Sequence, residues 1–441
     1  MSKSPIALEE LEVNRFHQLL TLRAGGGWLL SGYVLSIIGV VLVDLSQHLA
    51  LDQFWQGLLA AAAIIGICIG GFFGGMMSDR YGRKCMFVLA PLLLFIFSAL
   101  QYFVQSAEML FVCRLLVGIG VGIEYAVTSA LMTECLPRRA RGPRIALLVT
   151  LWFVGAACAY IIGHSLMAHL GQHAWHWVLA SPAVLGLVLV LLRKNTLESP
   201  RWLMRQARVQ DADQVIHQSY GSNYCHQNLA DHTNQKSVGF AALLQQGYAV
   251  RVMFVSLFWA CSVTPVFAVY AFSPTLLEAL HLSQQLSVYG SIFITCLFVV
   301  GCALGIILIN RLGRRRMLLH SFLWSLLALV GLAYFADAAA WLILLFFGAY
   351  AIFIGGAQIL TIVYPNELFP TEIRAMAVGL CTSISKTGVV LGTWLVPIAI
   401  HQIGIANTMY IAAGINLIGL VVTYYYAIET SNLSLEQATT V

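Results

Sequence analysis

Three charged side chains lie where an apolar chain should carry none. Glu124 sits inside RLLVGIGVGIEYAVTSALMTECLPRRARG (114–142), and of 19 Asp and Glu residues it is the one in the middle of an apolar run. Lys386, in SISKTGVVLGTWLVP (383–397), is the one Lys or Arg so placed, and Arg114 lies a turn or so inside the end of the same run as Glu124. An ionised residue at mid-depth in hydrocarbon costs at least ~2.5–3.5 kcal/mol, so it must face protein or water. A carboxyl so placed can carry a proton or grip a substrate, and an ammonium can meet an anion. Arg114 cannot pair with Glu124 directly, because ten helical residues separate them by about 15 Å. Lys386 is expected to meet an anionic group or to pair with Glu124 in one state. The bland alternative for each is a structural ion pair or a snorkelling side chain.

The elements that hold these groups are membrane spans. The chain has 441 residues, 59% hydrophobic and 10% charged, with mean hydropathy +0.82, where a soluble domain is roughly a quarter charged. Runs of about 20 apolar residues recur at 20–43, 55–78, 85–104, 109–133, 144–167, 177–192, 249–278, 288–309, 317–335, 341–364, 375–399 and 406–427. The connections after the odd-numbered spans hold no Lys or Arg, so the basic connections and both termini are cytoplasmic. The start, MSKSPIALEELEVNRFHQ, lacks the basic region and cleavage site of a signal peptide. The ten cysteines include no CxxC pair and read as buried small hydrophobes, with neither a disulfide nor a metal framework. No cofactor motif and no nucleic-acid surface is visible. Six of the twelve histidines (48, 169, 173, 176, 281 and 401) fall on the outer face, as polar filler or as a sensor of an acidic exterior.

The chain also repeats itself. GMMSDRYGRK (75–84) recurs as GIILINRLGRR (305–315), with Arg83 falling on Arg314. ECLPRRARG (134–142) recurs as ELFPTEIRA (367–375), with Glu134 falling on Glu367, Pro137 on Pro370 and Arg141 on Arg374. The two motifs recur at nearly the same spacing, about half the chain, which makes two six-helix halves in the same orientation. The expected organisation is a tail (1–19), a first half (20–192), a cytoplasmic linker (193–248), a second half (249–428) and a tail (429–441). The fold class is thus an all-α membrane protein with twelve transmembrane helices in two parallel six-helix repeats.

These motifs resemble the major facilitator superfamily over nearly the whole chain. Arg114 with Gly118, Gly120 and Gly122, the Glu134–Gly142 segment, and ESPRWL (198–203) resemble its sugar porter branch, in the manner of bacterial inner-membrane metabolite transporters. The resemblance implies a cytoplasmic gate built from Asp79, Arg80, Arg83, Glu134, Arg141, Glu198, Arg314, Arg315, Glu367 and Arg374. It implies that Glu134 and Glu367 face arginines of the opposite half, that Glu198 approaches Arg141, and that Arg114 organises helix ends or proton coupling. Gly75 is expected to admit a neighbouring helix and Gly82 a tight turn. Asn310 replaces the acid of the first copy, which predicts a weaker second latch.

The spans that would touch substrate depart from those of the sugar porters. Their span 7 usually carries a Gln pair and their span 10 a Gly-Pro with a following Trp. Here span 7 reads FWACSVTPVFAVYAFSP without Gln or Asn, and Ala357 stands in place of the proline. The Glu124–Tyr125 pair and Lys386 with Gly388 resemble phosphate–proton symporters and aromatic-acid transporters, whose span-1 acid is replaced here by Ser31. Substrate or proton contacts are therefore expected from Glu124, Lys386, Tyr125, Tyr33, Ser31, Gln358 and Arg114, with Trp28, Trp152, His164, Trp259 and Tyr270 as further cavity candidates. The expected activity is proton-coupled secondary transport of a small anionic or zwitterionic metabolite, by a monomer in the lipid bilayer of a bacterial inner membrane. A sugar or polyol porter of altered specificity is the alternative. A non-transporting sensor on the same fold would not need both gate motifs, and no nucleotide loop, metal spacing or nucleophile points to an enzyme.

Overall fold

A computed structural model describes residues 8–171, 174–229, 248–369 and 373–430, with the side chains of Asn310, Asn366, Arg374 and Ala375 outside the description. The first half contains α1 (Arg15–His48), α2 (Gln53–Tyr81), α3 (Arg83–Leu100), α4 (Ala107–Cys135), α5 (Arg138–Leu170), α6 (Ala174–Ala180) and α7 (Pro182–Arg193). The linker carries α8 (Pro200–Arg205) and α9 (Val209–Tyr220). The second half contains α10 (Ala249–Ala279), α11 (Gln284–Leu312), α12 (Arg314–Tyr334), α13 (Ala340–Leu368) and α14 (Arg374–Tyr426).

Span count follows from two breaks. Pro182 cannot donate a backbone hydrogen bond, so α6 and α7 form one span interrupted at Ser181. The 53 residues of α14 would reach about 80 Å if straight, far more than the ~30 Å of hydrocarbon. Instead Gly404 takes φ +82°, a conformation glycine adopts freely, and the chain doubles back into two spans. Among the described residues eleven helices are long and apolar enough to cross a membrane, and α14 does so twice, making twelve spans. Gly171, with φ +68°, marks the matching turn at the repeat-related position of the first half. The outer ends of α2 and α11 start on Asp52 and Ser283, which accept hydrogen bonds from the backbone of Trp55 and Leu286. These two caps also occupy repeat-related positions, so the repeat extends to helix punctuation.

Within a half, glycine sets the helix spacing. A Cβ at Gly70 would lie 2.7 Å from Ile119 Cα, and one at Gly118 would lie 2.8 Å from Ala63 Cα. Gly66, Gly70 and Gly74 on α2 thus meet Gly118, Ile119, Gly122 and Ile123 on α4 at backbone distance. Gly301 and Gly355 do the same for α11 and α13. Lipid offers no hydrophobic force between spans, so such close dispersion contact carries the association. The expected role of Gly75 is not met: nothing lies within 4 Å of its Cβ position, and the close approach belongs to the three glycines before it.

The halves meet through α1 with α10, α2 with α14, and α5 with α11 and α13. Pro274 leaves the carbonyl of Tyr270 without its helical donor, and α10 kinks at Phe272 (φ −130°, ψ 15°). The freed Tyr270 carbonyl accepts a 2.8 Å hydrogen bond from Tyr160 Oη, which crosses from α5 of the other half. Phe54 and Trp394 stack edge-on at 5.6 Å nearer the outer surface. A Cβ at Gly57, near the outer end of α2, would overlap the Trp394 carbonyl of α14, so the two halves touch there. The outer side is closed, and among the described residues no ion pair joins the halves.

Candidate transport site and cytoplasmic charge clusters

The carboxylate of Glu124 projects from α4 toward α1 and α7, and its partner is Arg193. Arg193 Nη1 lies 2.6 Å from Glu124 Oε2 and Nη2 lies 2.7 Å from Oε1, with both side chains fully buried. Nη1 also donates to the Phe87 carbonyl at 2.8 Å, and Nη2 and Nε donate to the Arg23 carbonyl at 2.7 and 3.2 Å. All five guanidinium N–H groups are thereby used. The guanidinium carbon rests 3.6 Å from the Phe87 ring centroid, and Thr128 Oγ1 donates to Glu124 Oε1 at 2.7 Å. Gly27 makes the room, since a Cβ there would overlap Glu124 and Arg193.

In this state Glu124 thus pairs with Arg193 and not with Lys386. Arg193 is the last residue of an apolar run and reads as ordinary positive-inside charge, which hides it in the sequence. The available signal was Gly27, which clears space on α1 opposite Glu124, while Gly25 and Gly26 face Leu151 and Leu189. The pair has no counterpart in the second half, where Ala357 and Tyr424 take the repeat positions of Glu124 and Arg193.

Lys386 instead stands at the meeting of the halves. It is 9% exposed, and its ammonium lies 4.9 Å from the Phe267 ring centroid, within cation–π range. Among the described residues it has no carboxylate partner, and the Cys68 thiol of α2 is within its electrostatic reach. Phe267 also lines a small closed cavity between the halves with Leu35, Ile64, Trp152, Tyr270 and Thr393. At about 10 Å³ it has room for about one water.

The other expected contacts are largely spent within their own half. Arg114, buried, donates from Nη1 to the Val34 carbonyl at 2.9 Å, and its Nε has no partner. Ser31 donates to the Gly27 carbonyl at 2.8 Å, and Tyr33 Oη lies 2.8 Å from Ser181 Oγ. Tyr125 packs on Trp28 with ring centroids 4.8 Å apart. Gln358 donates to the Ser262 carbonyl at 2.9 Å. His164 Nε2 is buried without a partner. Trp152 and Tyr270 do come together across the halves, with ring centroids 5.4 Å apart.

The charge clusters at the basic face form inside each half. Arg83 pairs with Asp79 at 2.6 Å and Glu134 at 3.0 Å, and Arg314 pairs with Glu367 at 2.8 Å. In this state Glu134 and Glu367 each pair within their own half, and the expected cross-half facing belongs to the outward-open state. Glu198 does not approach Arg141, whose Nη2 donates to the Leu136 carbonyl at 3.2 Å. Glu198 accepts from the backbone N–H of Arg83 at 2.9 Å and of Lys84 at 3.1 Å, capping α3. Its own burial raises this carboxyl above the usual value. Gly82, at φ +104°, keeps a side chain out of that cradle. In the second half Glu429 caps α12 through Arg314 N (2.9 Å) and Arg315 N (3.1 Å), beside Gly313 at φ +81°. Sequence reasoning missed Glu429 by leaving it in the tail, although it stands at the repeat position of Glu198. Arg80 lies over the Tyr81 ring at 5.5 Å, and Arg315 Nη2 donates to the Tyr424 carbonyl at 2.9 Å. The side chains of Asn310 and Arg374 lie outside the described residues, and with them the weaker second latch.

No metal ligand was expected from the sequence. The linker nevertheless gathers Asp213, Cys225 and His226, with ligand atoms within 4.8 Å of one another. His226 Nδ1 is 2.9 Å from the Asp213 carboxylate, so the two already partner each other.

Twelve spans in two repeated halves, closed on one side with charge clusters on the other, define a membrane transporter of the major facilitator fold. The chain belongs to the sugar (and other) transporter family, which matches residues 23–441. It is 36% identical over 97% of its length, and 96% of the relative's, to an Escherichia coli protein provisionally called metabolite transport protein YaaU. It is 35% identical over 99% of its length, and 97% of the relative's, to the inner membrane metabolite transport protein YgcS of the same organism. Among solved structures, a partially occluded inward-open form of the xylose transporter XylE from E. coli superposes with TM-score 0.83, covering 96% of this chain and all of that one at 20% identity. The protein is a multi-pass membrane transporter, not an enzyme.

Proposed function

We propose that the protein is a proton-coupled secondary transporter of a small anionic or zwitterionic metabolite, working by alternating access as a monomer in a bacterial inner membrane. The observation that carries the anion reading is Lys386, a cation between the halves without a carboxylate partner among the described residues. Binding near the midplane where repeats face each other is the rule for such folds. An acidic group of the substrate supplies the missing counter-charge, and Trp152, Tyr270 and Gln358 frame the rest as the centre opens. Coupling through Glu124 requires the Arg193 pair to open during the cycle, because the carboxylate already accepts from Arg193 and Thr128.

The second reading, a sugar or polyol porter, is favoured by the family description and by 25% identity to the arabinose-proton symporter of Bacillus subtilis. Thermal unfolding of the purified protein against sugars, polyols, carboxylates, phosphate and amino acids separates the two. A ligand at 100 times its Kd adds about 2.7 kcal/mol. Stabilisation by carboxylates, phosphate or amino acids supports the anion reading. Stabilisation by neutral sugars alone overturns it.

A further inference from the structure

A groove of about 470 Å³ opens on the flank of the second half, toward the basic face. Its walls are the first turns of α12 and the last turns of α14. Leu319, Leu323, Leu420 and Val421 make it apolar along its length. Arg316 and His320, one turn apart, stand at its edge, with Tyr424 and Tyr425 across from them. Arg315 ties the far wall in place through the Tyr424 carbonyl at 2.9 Å.

The internal repeat separates this cation from the charge clusters. Arg314 and Arg315 repeat Arg83 and Lys84, whose backbone N–H groups bind the capping glutamates. Arg316 and His320 repeat Cys85 and Leu89, so α3 carries no basic group at these two positions, whereas Tyr424 and Tyr425 of the facing wall repeat Arg193 and Lys194. Arg316 has no carboxylate partner among the described residues and is exposed. It lies within the first turn of α12, at the arginine-rich end of that span.

We infer that this groove is a binding site for an anionic phospholipid, with the phosphate against Arg316 and His320 and an acyl chain along the leucines. A zwitterionic lipid fills the same apolar channel but brings no net charge to the arginine. Basic pockets between spans on the cytoplasmic side select anionic headgroups in this way. The tyrosine hydroxyls supply donors at the same depth.

The test is native mass spectrometry of the full-length protein in detergent, titrated with phosphatidylglycerol and, separately, with phosphatidylcholine of the same acyl chains. The expected preference for phosphatidylglycerol is roughly fivefold per basic residue. Arg316→Ala should cut that preference roughly fivefold while leaving phosphatidylcholine binding unchanged, and Arg316→Lys should retain it. Cys85→Ala at the repeat-related position should have no effect. Equal binding of the two lipids, or a preference untouched by Arg316→Ala, makes the groove an unselective lipid seat and overturns the proposal. If Arg316→Ala does not fold, His320→Ala carries the same comparison, with a smaller loss of preference expected and none refuting it.

Discussion

Arg193→Ala isolates the buried pair. The substitution leaves the Glu124 carboxylate fully buried with Thr128 as its remaining donor, and strips the Phe87 and Arg23 carbonyls of their shared partner. Removing one member of a buried pair typically costs about 3–5 kcal/mol, since a charge is left without compensation. For a unit of about 150–250 residues each kcal/mol moves Tm by about 2–4 °C. The expected fall is therefore roughly 6–20 °C, read by thermal unfolding of the purified protein in detergent. Replacing both partners, as Glu124→Gln with Arg193→Met, should recover most of the loss, because a neutral pair needs no counter-charge. The positive coupling between the two sites is the signature. If Arg193→Ala unfolds within a degree or so of the parent, or the double variant is no better than the sum of its parts, the pair is not the anchor described here.

Further outcomes follow from the same contacts. Glu198→Ala and Glu429→Ala should each destabilise by about 1–2 kcal/mol through a lost helix cap, and ending the chain at Ile428 should reproduce the second. Gly70→Ala should unfold early because its Cβ has no space against Ile119, whereas Gly75→Ala should be neutral, both measured by Tm. Burial raises the Glu198 carboxyl above its unfolded value near 4.5. Protonation therefore favours the fold, adding stability that is present below the unfolded value and lost as pH rises through the raised one. Glu198→Gln should flatten the pH dependence of Tm in that window.

Much of the architecture is legible in the sequence, because lipid imposes simple rules on composition and on the sign of loop charges. The spans and the two-half repeat follow from apolar runs and two motif pairs. The helices overrun the apolar runs at their cytoplasmic ends, with α1 starting at Arg15 and α5 at Arg138, because hydropathy marks the hydrocarbon and not the helix. What stayed hidden is partner choice. By depth Glu124 has one basic candidate, Lys386, and periodicity cannot tell that this face of α4 turns toward α7, whose last residue is Arg193. Only Gly27, where a side chain would overlap both members of the pair, makes room for Arg193. The charge clusters were partly hidden for a related reason: matching motifs at matching spacing do not show that in this state each half closes its own pair. Glu429 was recoverable from its repeat relation to Glu198 but sits past the last apolar run, where a charged residue attracts no notice.

Anion transport stands most directly on Lys386. Uptake into proteoliposomes, of whichever carboxylate, phosphate or amino acid stabilises the protein, should be measured for the parent, Lys386→Ala and Lys386→Arg under an inward proton gradient. Lys386→Ala is predicted to abolish both uptake and ligand stabilisation, and Lys386→Arg to retain a fraction of each. Undiminished anion uptake by Lys386→Ala would contradict a substrate-binding role for this cation.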